Sequence, residues 1–368
     1  MDHPGDVSRL HRLISDGEVD AGAIVACIGK TEGNGGANDF TRALATVQVT
    51  ALLSQLLQLP GAEIQKRVAL VWSGGCEGVL SPHMTVFTRE TGGFGAVPPG
   101  TGAAGTGAER LAISVQRTRS FLPEEVGRTA EVLEVASAVR RALDELRIGP
   151  GAVHYVQVKG PLLTPAGVAD AAARDQRVVT DDPNRSKAYA RGATALGVGI
   201  ALGEIAPDQV NDDIIANDMS LYSSVTSTSA GGELTDCEVI MFANSVDATG
   251  EYRIGHGHLE DAVDAPGVRA TLRAAGLQFD YEPDAEAQKQ IAAVFAKAEA
   301  PLGGRLRGQR TTMLSDADIN YERHARAAVG AVIASVTGDP RIFVSGGTEH
   351  QAPPGQAPIA AIVRVGPA

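Results

Sequence analysis

The sequence is poor in cysteine, in aromatic residues and in long apolar runs. Its three cysteines, Cys27, Cys76 and Cys237, are odd in number and scattered. They form neither a disulfide framework nor a Cys-x-x-Cys zinc spacing, so reduced thiols in a cytoplasmic protein are expected. The first residues carry no basic region followed by an apolar stretch, so no secretory leader is expected. No window approaches the ~18 uninterrupted apolar residues of a membrane span, so no membrane partner is expected. Basic residues are outnumbered and the formal net charge is -12. An acidic surface repels phosphate backbones, so nucleic acid is not expected as a partner.

What is abundant is glycine. The 368 residues include 43 glycines against 4% aromatics, with 43% hydrophobic and 21% charged residues. That balance suits a globular chain with many tight turns where backbone approaches something small. Short apolar runs predict strands at Gly22–Ile28, Arg67–Trp72, Val153–Val158, Val239–Phe242, Ile342–Val344 and Ile359–Val365. Longer Ala- and Leu-rich stretches predict helices at Arg42–Leu57, Glu124–Leu146, Arg191–Ile205, Ala285–Ala298 and Arg323–Ser335. Alternation of the two indicates an α/β or α+β protein. Two stretches read as linkers: Thr91–Gly107, dense in Gly and Pro, and Ser245–His258. They divide the chain into three expected repeat domains, 1–105, 108–248 and 253–368.

Each piece carries the pattern Ser-x-Gly-x-Glu, at Ser73–Glu77, Ser229–Glu233 and Ser345–Glu349. Composition alone predicts roughly 0.1 such matches in the chain, so one per piece marks an internal repeat. A strand ending in such a turn can present unpaired N–H groups to a carbonyl oxygen or an oxyanion. Each piece also has an upstream lysine (Lys30, Lys159, Lys297) and an arginine opening an Ala-rich helix (Arg42, Arg191, Arg326). Arg323 competes with Arg326 for the third position. Lysine precedes serine by 43, 70 and 48 residues. One site built three times around a pseudo-threefold axis would hold a small, planar, carbonyl-rich ligand. Desolvated lysine beside serine is a base–nucleophile pair that attacks amides.

These residues closely resemble the cyanuric acid hydrolase and barbiturase family of ring-opening amidohydrolases. The similarity runs over essentially the whole chain. It is most specific at Gly29–Arg42, at the three Ser-x-Gly-x-Glu copies, at Ala296–Glu299 and at Ser345–Gly355. The resemblance implies three similar α/β domains around a pseudo-threefold axis, a β-barrel-like core wrapped by helices, and a homotetramer. It implies Ser229 as nucleophile with Lys159 as base. Ser73 and Ser345, with Lys30 and Lys297, would bind and polarise the other two ring carbonyls. Arg42, Arg191 and Arg326 would complete the cradle, with Gly74, Ala230 and Gly346 offering backbone N–H groups. No cofactor is implied for catalysis. A structural Mg²⁺ or Ca²⁺ is implied, held by the Glu299 carboxylate and the carbonyls of Thr348, Gln351, Ala352, Pro353 and Gln356, an all-oxygen set that suits a hard cation. This sequence has Gly355-Gln-Ala-Pro358 where a run of glycines is common in the family.

Cyanuric acid matches a threefold site by symmetry, whereas barbituric acid or another cyclic imide is the alternative. A metabolite-binding protein is the non-enzymatic alternative, although a pure carbonyl binder needs no lysine beside its serine. Gly29-Lys30-Thr31 is not a phosphate loop, because the glycine required upstream is absent. His256-Gly-His258 resembles the His-x-His of zinc cyclic amidohydrolases. Only His324 and His350 follow it, so an exposed loop is expected there.

Overall fold

The structure, a computed structural model, describes residues 1–89 and 108–366. The expected linker Thr91–Gly107 lies outside the described residues. The described residues build three main sheets, each from one stretch of sequence, and one two-stranded ribbon.

The first stretch contains α1 (Ser8–Ser15), β1 (Ile24–Thr31), α2 (Phe40–Leu57), α3 (Gly61–Arg67), β2 (Ala69–Gly74) and β3 (His83–Thr88). The second contains β4 (Arg110–Arg117), α4 (Thr129–Leu146), β5 (Val153–Pro161), α5 (Pro165–Ala173), α6 (Pro183–Leu202), β6 (Thr226–Gly231) and β7 (Glu238–Ser245). The third contains β8 (Tyr252–Leu259), α7 (Ala265–Ala274), α8 (Ala285–Gln288), β9 (Ile291–Ala298), the short ribbon β10 (Arg305–Leu306) and β11 (Gln309–Arg310), α9 (Tyr321–Thr337), β12 (Phe343–Gly346) and β13 (Ala357–Arg364).

The sheet orders are β2-β1-β3, β4-β7-β5-β6 and β12-β9-β13-β8. In each, one strand pairs in parallel with a second across a helical crossover and antiparallel with a third: β1 with β2 and β3, β5 with β6 and β7, β9 with β12 and β13. The parallel pair requires the long crossover, because adjacent parallel ends lie a strand length apart. Helices α2, α6 and α9 are the main helices of these crossovers, with α3 following α2, α5 preceding α6 and the β10–β11 ribbon preceding α9. Side-chain caps mark their starts: Asp39 accepts from Thr41 N, Asp182 from Asn184 N, and Asn320 from Glu322 N.

The three sheets do not close into one hydrogen-bonded barrel among the described residues. The barrel-like character lies in the packing. A central cluster draws Ile28, Val71 and Phe87 from the first sheet, Tyr155, Ile240 and Phe242 from the second, and Phe295, Phe343 and Ile362 from the third. Phe87, Phe242 and Phe295, one from each sheet, meet with ring centroids 5.0, 6.0 and 6.3 Å apart. Five aromatic residues, Phe87, Tyr155, Phe242, Phe295 and Phe343, lie where the three sheets converge, and large buried side chains stabilise strongly there. Separate outer clusters seat the helices on each sheet.

Two expectations from the sequence are corrected. The stretch Ala285–Ala298 is not one helix: α8 stops at Gln288, and Ile291–Ala298 is the strand β9 between β12 and β13. Its alanines favour helix, but a site flanked by two strands and buried along most of its length overrides that preference. Ser245–His258 is a linker only in its first half, where residues 246–251 join β7 to β8. Residues 252–259 form β8, and His256 and His258 pair with Ala360 and Pro358 of β13. His256 is half-buried, its Nδ1 3.0 Å from Nδ1 of His154 across the seam between the second and third sheets.

Candidate active site

The parallel ladders carry the repeat. Lys30 is the register partner of Ser73, Lys159 of Ser229, and Lys297 of Ser345. Unequal sequence spacings therefore produce one geometry three times, since only crossover length varies. Ligands in such sheets bind beyond the carboxyl ends of parallel strands. There the lysine strand ends, the arginine-bearing helix begins and the serine strand turns.

The turns meet at one pocket. It is lined by Ser73, Gly74, Ser229, Ala230, Ser345 and Gly346, with Arg42, Arg191, Arg326, Lys159, Gly35, Trp72, Lys187 and Glu322. It adjoins an outer vestibule of about 680 Å³ that shares Gly35, Lys187, Arg191, Glu322 and Arg326 with it. Lys30 and Lys297 are fully buried behind this lining. Of the two arginine candidates, Arg326 is the buried one at the inner pocket, whereas Arg323 is half-exposed on the vestibule side.

The lysines cross-brace the repeats in a cycle. Lys30 Nζ donates to Val344 O of the third repeat at 2.6 Å, Lys159 Nζ to Trp72 O of the first at 3.4 Å, and Lys297 Nζ to Thr228 O of the second at 2.7 Å. Each acceptor immediately precedes a pocket serine. The arginines cycle the other way. Arg42 Nε donates to Glu233 Oε1 at 3.3 Å. Arg191 holds Glu349 through two bonds of 2.7 and 2.6 Å, and Arg326 holds Glu77 through two of 2.9 and 2.5 Å. The glutamates are the last residues of the three pentapeptides. The glycine of the pattern brings two of them into place: Gly75 and Gly347 have φ of +95° and +81°, and a Cβ on Gly75 would lie 2.2 Å from Glu77 Oε1.

The three sets are not chemically equal. Lys30 Nζ donates to Ser73 Oγ at 3.2 Å. Lys159 instead lies 3.4 Å from the Glu233 carboxylate, and Ser229 Oγ is buried without a hydrogen-bond partner, as is Ser345 Oγ. Burial, then Arg326, pushes the Lys30 ammonium down to about 7, against Glu77. Burial with Arg42 pushes Lys159 down to about 8, against Glu233. Burial and Arg191 hold Lys297 well below the usual lysine range. Burial opposes ionisation of Glu77 and Glu233 too, but Arg326 for the first and Lys159 with Arg42 for the second outweigh it.

The lysine, serine and arginine sets were legible from their recurring order. The glutamates were visible as the fifth residue of each pentapeptide, yet nothing in one dimension paired Glu77 with Arg326, 249 positions away. Lys187, Glu322 and Gly35 had no repeat signal at all.

One family accounts for this arrangement. The ring-opening amidohydrolase protein family matches residues 1–364. The chain belongs to that family. It is 61% identical over 99% of its length to a cyclic amide hydrolase of Azorhizobium caulinodans, covering 97% of that protein. It is 49% identical over 98% of its length to a cyanuric acid amidohydrolase of Pseudomonas sp. strain ADP, covering 96% of it. A solved structure of cyanuric acid hydrolase superposes with a TM-score of 0.90 at 48% identity, covering 99% of this chain and 97% of the other.

The residues expected to hold a cation do not line the inner pocket but lie behind its third turn. Glu299, half-buried at the end of β9, accepts from Thr348 N and Thr348 Oγ1 at 3.2 Å each and from Ala300 N at 3.1 Å. Burial and the nearby Glu349 raise its pKa. The Gln351 side chain is committed elsewhere, accepting from Thr228 N at 2.7 Å, while the turn at Pro353 is closed by Gln356 N. Among the described residues no cluster of three or more His, Cys, Asp or Glu could hold a metal. The donor set here is one carboxylate with backbone oxygens, which fits a hard cation rather than a transition metal.

Proposed function

We propose that this protein hydrolyses a ring C–N bond of cyanuric acid, with Ser229 as nucleophile and Lys159 as its base. Three Lys–Ser register pairs converging on one pocket carry this reading, because a planar ring with three carbonyls presents one oxygen to each turn. The names of the relatives support the same substrate class.

In the first step Lys159, neutral in part near pH 8, takes the Ser229 hydroxyl proton, and Oγ bonds to a ring carbonyl carbon. Ser229 Oγ has no competing partner, so its lone pairs are available. Backbone N–H groups at the end of β6, where Ser229 and Ala230 line the pocket, would stabilise the developing oxyanion, a contribution of about 3–4 kcal/mol per donor in comparable sites. The C–N bond then breaks, and the departing ring nitrogen takes the proton from Lys159. Water hydrolyses the acyl-enzyme, releasing carboxybiuret, which loses CO₂. The other two turns would hold the remaining oxygens, with Lys30 acting through Ser73 and Lys297, which donates to Thr228 O and Gly346 O, supplying positive charge behind the third turn. Glu299 with the Thr348–Gln356 loop would hold a structural Mg²⁺ or Ca²⁺ away from the reacting atoms.

One observation favours a second reading. Lys30 already donates to Ser73, so the first repeat could supply the dyad. Incubation with cyanuric acid, barbituric acid and their N-methyl analogues, without added metal, tests the activity. Turnover of cyanuric acid with release of biuret and CO₂ is expected. Tight binding of rings with no turnover would make the protein a metabolite binder and overturn the proposal.

A further inference from the structure

The repeats agree in lysine, serine and arginine but differ one helical turn before each arginine. Four residues upstream of Arg42, Arg191 and Arg326 stand Asn38, Lys187 and Glu322. Asn38 is exposed, and its Oδ1 accepts from Asn34 Nδ2 at 3.1 Å. Lys187 and Glu322 instead meet across the seam between α6 and α9, with Nζ 3.4 Å from Oε2. The other carboxylate oxygen of Glu322 lies 3.4 Å from Arg191 Nη1. The Lys187 and Glu322 side chains are 14% and 12% exposed, and both line the inner pocket as well as the vestibule. Glu322 also packs on a carbonyl-binding turn: a Cβ at Gly346 would lie 3.3 Å from its carboxyl carbon.

Glu322 is held as a carboxylate, whereas burial, with Arg191, pushes Lys187 below the usual lysine range against the pull of Glu322. Burial opposes ionisation of Glu322, but Arg191, Lys187 and Arg326 hold its pKa down to about 2. Its position in the first turn of α9 favours the anion further. A carboxylate against the third turn repels ring oxygen and attracts a ring N–H. An ammonium beside it attracts ring oxygen. The neutral Asn38 does neither, so the pocket mouth is polar in one direction across an otherwise threefold site.

We propose that Lys187 and Glu322 orient the substrate and set its specificity, placing a ring N–H against Glu322 and a ring oxygen against Lys187. This rests on the reading of the pocket as a cyclic-imide site. A ring with an N–H on every such edge satisfies Glu322 in all three orientations. In barbituric acid the attacked carbonyl is flanked by one nitrogen and one carbon, so the orientation with its leaving nitrogen on the side of the first repeat sets the carbon against Glu322 and forgoes that hydrogen bond. The pair thereby selects cyanuric acid over barbituric acid without touching the bond-breaking steps.

The test is kcat/KM for both rings in wild type, Glu322→Gln, Lys187→Met and Asn38→Ala, with circular dichroism for folding. Glu322→Gln should lower the cyanuric-to-barbituric ratio about tenfold, the size of a hydrogen bond to a charged acceptor. Lys187→Met should raise KM for both rings while kcat stays within about threefold. Asn38→Ala should change nothing. If Glu322→Gln does not fold, Glu322→Asp, its carboxylate drawn back by one methylene, must still lower the ratio. A ratio within about threefold of wild type in a folded Glu322 variant overturns the inference, even if both activities fall together, because a parallel fall is what a purely structural ion pair produces. Wild-type protein that turns over neither ring would overturn the proposed function and this inference with it, whereas normal turnover with an unmoved ratio sinks the inference alone.

Discussion

Arg326 in the third repeat grips Glu77 in the first through two parallel hydrogen bonds, closing a ring with the two-bond Arg191–Glu349 pair and the single-bond Arg42–Glu233 pair around the pocket. Each joins one repeat to the next, so the arginines that line the site also fasten the three sheets together. The guanidinium fork suits this use, because one edge can hold a carboxylate while another faces the cavity.

Glu77→Ala should therefore destabilise the whole protein, not just its activity. It leaves Arg326 charged and buried, and losing one partner of a buried pair costs about 3–5 kcal/mol. Urea unfolding of the variant should show a lower midpoint with unchanged slope. A loss under about 1 kcal/mol would mean that the ring of pairs is not a structural clamp.

Ser229→Ala should remove turnover by several orders of magnitude and leave the fold intact, since only a hydroxyl is lost. Ser73→Ala and Ser345→Ala should each lower kcat/KM by about 10- to 150-fold, the cost of one hydrogen bond to a charged partner. The reverse ranking, with Ser73→Ala inactive and Ser229→Ala partly active, would transfer the nucleophile to the first repeat.

The pH profile follows from Lys159, whose pKa is pushed down to about 8. A base must be unprotonated to accept the serine proton. At saturating substrate, kcat should fall about tenfold per pH unit below that value and level off above it. Lys159→Arg, always protonated, should be inactive throughout. A kcat that is flat from pH 6 to 9 would show that Lys159 is not the base.

Glu299→Ala should lower the melting temperature far more than it changes kcat near room temperature. A cation bound only by the native state stabilises it by mass action and lies away from the reacting carbonyl. Elemental analysis without Mg²⁺ or Ca²⁺, together with a melting temperature indifferent to chelator, would remove the cation from the account.

The chemistry of the site was readable in one dimension because it is repeated. Three pentapeptides, each behind a lysine and an arginine in the same order, exceed what composition explains, and strand ends with glycine turns follow from local sequence. The element boundaries were less legible. Ile291–Ala298 has the composition of a helix, and β8 looks like a loop because its glycines and histidines carry no apolar alternation. Both are strands because neighbouring strands take up their backbone groups, on both sides for Ile291–Ala298 and through β13 on one side for β8, a contact no local pattern encodes.

The sequence by itself determined the local machinery: which residues carry lysine, serine and arginine, that they come in threes, and that the turns behind each serine must bend. Tertiary structure decided everything that joins one repeat to another. It placed each lysine in register with its serine despite unequal spacings, paired Arg326 with Glu77, chose Arg326 over Arg323, and set Lys187 against Glu322 at the mouth of the pocket. These contacts depend on three sheets meeting around shared aromatic side chains, and burial there fixes the relative positions of residues that are hundreds of positions apart in the chain.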